Sequence, residues 1–432
     1  MTTLLSVLDS TWSALAAGPP PQPRHQGAAA GSQWTVFVGS LLGLVGVVIG
    51  AGIGLWAAKT TARQQRKSAR HELRQQRVRL LNERFATASE LLGHTEPAHR
   101  LAGVHAMAGL ADDWHERRQT CIDVLCAQLR MPYPTEPGAK APAKKHLAWR
   151  ADREVRHTVL RVICDHLQEE VSESATSWTG HAFDFTGAVF DGGAFTGACF
   201  TGSTVDFSNS EFSSGTVDFS NIKVSGGRLD FSGAQFLGGT VNFHSATFSD
   251  GGVSFSDARF SGASVDFTRA KFVGGLMTFL HAEFYDGRVA FDMAEFADGT
   301  VSFVEARFTG GKVAFTGARF TGCRVEAYEA EFSDSPVIFD YAEFIDGSVN
   351  LRGARLRGGS VEFHMAHFAG CTVDFRHMSL TGGRIIMWAV AQWTHPPLFD
   401  DGVLEAPPTD LQLPIEPQPQ PQPPEADGLA GA

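Results

Sequence analysis

From residue 205 to residue 384 apolar side chains recur in a fixed order. A Val, a polar residue and a Phe come first. An Ala and a second Phe follow, separated by one residue, and a glycine-rich corner closes the unit. The unit is twelve residues long and repeats fifteen times without a break. Its first slot is Val in thirteen copies, with Leu229 and Met277 as exceptions; its first Phe slot departs only at Ala327 and Leu351. Each half-unit reads apolar, polar, large apolar, which is the alternation of a short strand with one buried face. Pairs such as Gly238-Gly239 and Asp298-Gly299 supply the positive φ of a tight corner. A short fixed period sustained through fifteen copies predicts a solenoid. Solenoids present extended surfaces and seldom enclose a catalytic pocket.

Charge predicts the coil length. The residue between the Ala and the second Phe should face outward. At every second copy it is Arg259, Glu283, Arg307, Glu331 and Arg355; the interleaved series is Lys271, Glu295, Arg319, Glu343 and His367. A twelve-residue coil would stack Glu283 on Glu295 and Arg307 on Arg319. Strands about 4.8 Å apart disfavour such like pairs and favour opposite ones. Alternation at every second copy therefore predicts a coil of two copies, about 24 residues. Eight to nine coils follow, a rod roughly 40 Å long at about 4.8 Å per coil.

Upstream, Phe185, Phe190, Phe195 and Phe200 lie five apart, and from Val205 the units alternate as five and seven. This resembles the pentapeptide-repeat family. The resemblance implies a right-handed, four-sided β-helix over residues 182–387, with four units per coil and the large apolar residues inside. The stretches RLAGVHAMAGLADDW and RQTCIDVLCAQLRMPY look like the helical segment that precedes the β-helix in membrane-anchored bacterial members, with a looser likeness to HEAT-type helix pairs.

The pattern before the repeat is helical. Residues 35–58 are uncharged and apolar, bracketed by Trp34 and Trp56, and a run of that length suffices to cross about 30 Å of hydrocarbon. A transmembrane helix is expected over residues 34–58. Nine Lys/Arg against two Glu follow between residues 59 and 84, whereas the stretch before Trp34 holds only Arg24. The positive-inside rule then puts residues 1–33, a disordered extracytoplasmic tail, outside and the rest in the cytoplasm, at a bacterial inner (plasma) membrane. Residues 59–79 read as a basic juxtamembrane helix, and residues 59–84 should lie near anionic head groups of the bilayer. Gly39, Gly43, Gly46, Gly50 and Gly54 form three G-x-x-x-G pairs, so a homodimer is an expected partner state.

A helical module is expected over residues 80–172. Glu96-Pro97 interrupts it, residues 100–110 and 120–129 read as a helix pair, residues 132–145 as a loop, and residues 155–170 as a last helix that caps the solenoid's open strand edges. Ile385, Ile386, Trp388 and Trp393 are expected to close the other end. Residues 388–432 are read as this cap and a disordered Pro-rich tail that favours polyproline II from Glu416. The expected fold class is thus α+β multidomain: a single transmembrane helix, a small HEAT-like α-helical module and a right-handed quadrilateral pentapeptide-repeat β-helix.

Candidate chemistry is sparse. Residues 182–387 carry 24 acidic and 15 basic side chains, net −9, with no basic stripe, so no nucleic acid partner is expected. Cys121 and Cys126 form a C-x4-C with no second pair, and six cysteines without a CxxC suit a reducing compartment. His115-Glu116 does not complete H-E-x-x-H, and His94, His99 and His105 are poorly spaced for one helical face. There is no G-x-S-x-G and no P-loop. No catalytic, cofactor-binding or metal-binding residue is expected, and enzymatic activity is not expected; His105 and Cys121 are the residues on which an enzyme reading would rest. The expected function is a membrane-tethered scaffold that presents a rigid surface to an unidentified protein partner. The alternative, drawn from the family resemblance, is a DNA-mimicking regulator of a nucleic-acid enzyme such as a topoisomerase.

Overall fold

The computed structural model describes residues 33–168, 174–390, 392–401, 409 and 411–412. In the first helix it describes side chains at Trp56, Lys59, Thr61 and from residue 63 onward; those of Gln392 and Trp393 are left out. The expected N-terminal tail, but for residue 33, and the Pro-rich segment from residue 413 lie outside the described residues.

The chain divides into two compact units, residues 1–78 and 79–432. In the first, the backbone is helical from the start of α1 (Gln33–Leu92). The expected span at residues 34–58 falls in this helix, with most of its side chains outside the described set. Among the described residues no helix is long and apolar enough to cross a membrane. The described side chains from residue 63 to residue 78 are all exposed, as a run rich in Lys and Arg requires.

The second unit opens with four helical segments: the end of α1, then α2 (Pro97–Asp113), α3 (Arg118–Arg130) and α4 (Ala143–Asp165). Pro97 starts α2, where a missing N–H costs nothing. Leu81, Ala88 and Leu92 of α1 are buried. Gly103 lets α2 approach α1, since a Cβ there would lie 2.7 Å from the Leu92 amide nitrogen. The last helix starts twelve residues before the expected position. Residues 143–154 are mostly strong helix formers with no apolar stripe, and Leu147 there is 65 % exposed. Apolar periodicity begins only at Val155, so that signal missed the first half.

The solenoid follows. Every coil contributes four short parallel strands, here called the first to fourth faces, starting at Phe183, Val189, Gly193 and Cys199. The first and fourth faces form nine-stranded sheets, so the rod has nine coils. The second and third merge into one 17-stranded sheet, because the strands Arg259–Asp266 and Glu283–Ala290 run through their shared corner. The register is the same on all four faces, two copies of the unit per coil: Val205 pairs with Leu229, Phe260 with Phe284, Val241 with Val265 and Phe272 with Phe296. The first coil is shorter on its first two faces, where Phe183 pairs with Val205 and Phe190 with Phe212. That is where the Phe residues stand five apart without the extra corner residues.

Inside, the Phe slots build four columns. Rings in successive coils stack nearly parallel, 4.6 Å apart for Phe260–Phe284 and Phe243–Phe267, and 5.0 Å for Phe255–Phe279. Large flat side chains at the strand spacing fill most of the interior and dominate its burial. The column through Phe279 and Phe303 breaks at Ala327 and Leu351, the two departures from the Phe slot. A small apolar cavity of about 20 Å³, lined in part by Phe303, Ala327, Phe332 and Leu351, marks the gap.

Both ends are covered. At the N-terminal end α3 and α4 pack on the first coil, and the Cys199 amide donates to the Leu167 carbonyl at 2.7 Å. At the other end Met387 and Leu411 are buried, Phe399 stacks on Phe375 at 5.1 Å, and Leu411–Gln412 extends the third face by pairing with Ile385 and Ile386. Of the four residues expected to close this end, Ile385 is buried, and Trp393 is in register with Phe368. Trp388 does not close it and is 51 % exposed. In register it follows Met387, which takes the inward slot, so Trp388 falls on the turn.

Candidate interaction surface

Each coil makes two of its corners with a tight turn between the two Phe slots, and the residue before the Ala adopts a left-handed backbone. Glycine is the natural occupant, as at Gly187, Gly233 and Gly317. Many copies instead carry a side chain there. On the corner between the first and second faces the row reads Asp257, His281, Glu305 and Glu329, with φ of 58°, 56°, 53° and 54°. An L-residue at such φ costs about 1 kcal/mol, and all four side chains point outward.

Beside this row runs the ladder of the second face. Arg259 pairs in register with Glu283, Glu283 with Arg307, Arg307 with Glu331 and Glu331 with Arg355. The Glu283 carboxylate meets Arg259 Nε at 2.9 Å and Arg307 Nη1 at 3.4 Å, and accepts from the Tyr285 hydroxyl at 2.8 Å. Burial alone would raise its pKa; the hydrogen bonds from Tyr285 and Arg259 and the two arginine charges outweigh that and hold it below the usual glutamate value. Glu331 meets Arg357 at 2.8 Å. Ladder and corner row enclose an open polar groove of about 430 Å³. In it His281 sits between two carboxylates, 3.4 Å from Asp257 through Nδ1 and 3.4 Å from Glu305 through Nε2. The fourth face carries the second ladder, with Lys271–Glu295 at 3.2 Å and Arg319–Glu343 at 3.7 Å.

In the helical module most of the residues considered for chemistry make packing, hydrogen-bond or ion-pair contacts. Asp112 accepts from Trp178 Nε1 at 3.3 Å and faces His166 Nε2 at 3.1 Å, while the His166 ring stacks on Trp178. Asp113 pairs with Arg84 at 2.6 Å. His115 contacts the buried Arg118, whose Nη1 donates to the Ser177 carbonyl at 2.8 Å. The His94 and His99 rings lie 4.0 Å apart and tilted, and His105 is exposed. Cys121 and Cys126 are buried, and burial pushes the Cys121 thiol up to about 11. No disulfide joins any of the six cysteines, and no cluster that could hold a metal ion occurs among the described residues.

Two features went unread in the sequence. One is a network at the module–solenoid junction: Asp191 accepts from Tyr133 at 2.8 Å and Arg153 Nε at 3.0 Å, with His157 Nε2 at 3.0 Å. These partners come from distant segments, so no local signal announces them. The other is the corner row. It lies two residues before each ladder position, and the every-second-copy spacing that exposed the ladder exposes it too.

Residues 226–271 match the family described as Pentapeptide repeats, in nine copies. No curated protein and no solved structure matches the chain. The matched segment lies within the solenoid of nine four-sided coils, and this part of the rod is similar to the pentapeptide-repeat family.

Proposed function

We propose that the chain is a non-enzymatic scaffold, tethered to a membrane through residues 34–58, whose solenoid binds a protein partner through its charged second face. The observation that carries this reading is the pairing of the ladder. Glu283 is held between Arg259 and Arg307 and Glu331 is held by Arg357, so the field at these positions is ordered in advance and less rotamer freedom is lost on binding. A groove rimmed by carboxylates and guanidinium groups, with no activated nucleophile beside it, suits recognition better than catalysis. The alternative, DNA mimicry toward a topoisomerase, requires a continuous negative stripe, and both ladders alternate in sign.

The membrane part rests on the sequence: the uncharged run at residues 34–58, the basic residues at 59–84 that favour anionic head groups and a cytoplasmic solenoid at a bacterial inner membrane, and the G-x-x-x-G pairs that favour a homodimer.

The test inverts the second-face ladder, with Arg259→Glu, Glu283→Arg, Arg307→Glu, Glu331→Arg and Arg355→Glu combined. Internal alternation is kept, while the field toward a partner is reversed. Proximity labelling in cells should lose the partners seen with the native chain, as it should on deletion of residues 182–387. Unchanged labelling by a folded inverted ladder rules the second face out as the binding surface.

A further inference from the structure

The second corner with left-handed turns, between the third and fourth faces, is built differently toward the C-terminal end. Its turn positions hold Met293, Tyr341 and Met365, at φ of 58°, 57° and 53°. Their side chains are 59 %, 54 % and 42 % exposed. Equivalent turns hold Gly197 and Gly317 at no such cost. Residues that strain the backbone and leave apolar surface in water do nothing for folding. They mark a surface kept for contact.

The C-terminal part of the patch is joined by ring contacts. The Trp388 ring lies 4.0 Å from His364, and His364 lies 5.8 Å from Tyr341 in an edge-on arrangement. Met293 lies beside Gly317, where a Cβ would meet its Cγ at 3.9 Å, and Tyr341 holds the same turn one coil beyond Gly317. From Trp388 to Met293 the strip crosses four coil steps, about 19 Å at the strand spacing.

The chain leaves the described fold beside this strip. Leu411–Gln412 pairs with Ile385 and Ile386, two residues before Trp388. Beyond it, residues 417–424 read PQPQPQPP. That composition favours polyproline II, whose rise of about 3.1 Å per residue carries eight residues over about 25 Å. The four residues between can bridge from the third face to the corner. Proline-rich segments dock on strips of exposed aromatic side chains, and their preformed conformation keeps the entropic cost low.

We infer that residues 417–424 dock in cis along the corner lined by Met293, Tyr341, His364, Met365 and Trp388. The segment covers an apolar surface distinct from the charged second face. The inference goes beyond the scaffold reading and does not depend on it.

Methionine oxidation reads this directly. The full chain in lipid nanodiscs is treated with dilute peroxide, and sulfoxide formation is followed by mass spectrometry. Met131, 53 % exposed in the helical module, is the internal reference. Met293 and Met365 should oxidise severalfold more slowly than Met131. Ending the chain after Gln412 should raise both to the Met131 rate, as should replacing Pro417, Pro419, Pro421 and Pro423 with Ser in the full-length chain. Protection should be independent of protein concentration. Rates at Met293 and Met365 that neither change alters would overturn the inference. Protection that fades on dilution would overturn it too, in favour of a second copy on the strip.

Discussion

The Arg156 guanidinium of α4 donates through Nη2 to the carbonyl oxygen of Val189 at 2.6 Å, so a side chain of the helical module satisfies a main-chain acceptor of the first coil. Its Nη1 reaches the Gln128 carbonyl at 3.4 Å, and its Cζ lies 4.4 Å from the centre of the Tyr133 ring. Arg156 is 8 % exposed. Arg156→Met keeps the packing and removes the donors, and should cost about 2–3 kcal/mol by leaving buried carbonyls without a partner. Because the loss falls at one end of a solenoid, amide exchange should accelerate in residues 183–194 and stay slow in the central coils. Uniform acceleration along the rod would contradict this.

Asp191 makes the same junction sensitive to acid. Its burial would raise the carboxyl pKa, but hydrogen bonds from His157 and Tyr133 and the Arg153 charge outweigh burial and bring it down to about 2, from an ordinary 3.8. A depressed folded pKa gives stability that is complete above about pH 4–5 and lost as the pH falls toward 2, of order 2 kcal/mol. Asp191→Asn should therefore lower stability near neutral pH and flatten its dependence between pH 5 and pH 2. Chemical denaturation at a series of pH values checks this; a native-like acid slope in the variant would sink it.

The cavity at Ala327 is a gap in an otherwise regular Phe column. Ala327→Phe should place a ring between Phe303 and Leu351, fill the apolar void and raise stability by about 1 kcal/mol, read as a higher unfolding midpoint. A lower midpoint would mean that the neighbouring coils had closed over the gap.

Gly187 tests the turn. Its φ is +68°, and nothing lies within 4 Å of an added Cβ. Strain alone then decides a substitution. Gly187→Asn should be nearly neutral, as Asn209 holds the equivalent turn one coil on at φ 56°. Gly187→Val should cost about 2 kcal/mol, since a β-branched residue tolerates this region poorly. Equal effects would show that the turn can relax.

Much of the rod was legible in the sequence because its signals repeat. One misread Phe or charge is outvoted by its neighbours, and Glu283 between Arg259 and Arg307 is where the charge pattern said it would be. What repetition did not cover was read poorly. The first half of α4 buries little and shows no period. The end of the rod relies on Phe399 and Leu411, which lie beyond the last copy, and the inward role expected of Trp388 falls to Met387. The corner row Asp257, His281, Glu305 and Glu329 shares the every-second-copy spacing, yet charges of one sign with a His between them show no alternation to notice.

The rod's shape returns after one coil, but its charge pattern returns only after two. Loss of residues 276–299 would leave every strand in register while setting Arg259 on Arg307 and Lys271 on Arg319. Loss of residues 276–323 would instead bring Arg259 onto Glu331 and Lys271 onto Glu343. The molecule thus carries a parity: a lineage could lengthen or shorten it most easily by a pair of coils at a time. Odd steps would leave a seam of like charges that later substitutions must mend.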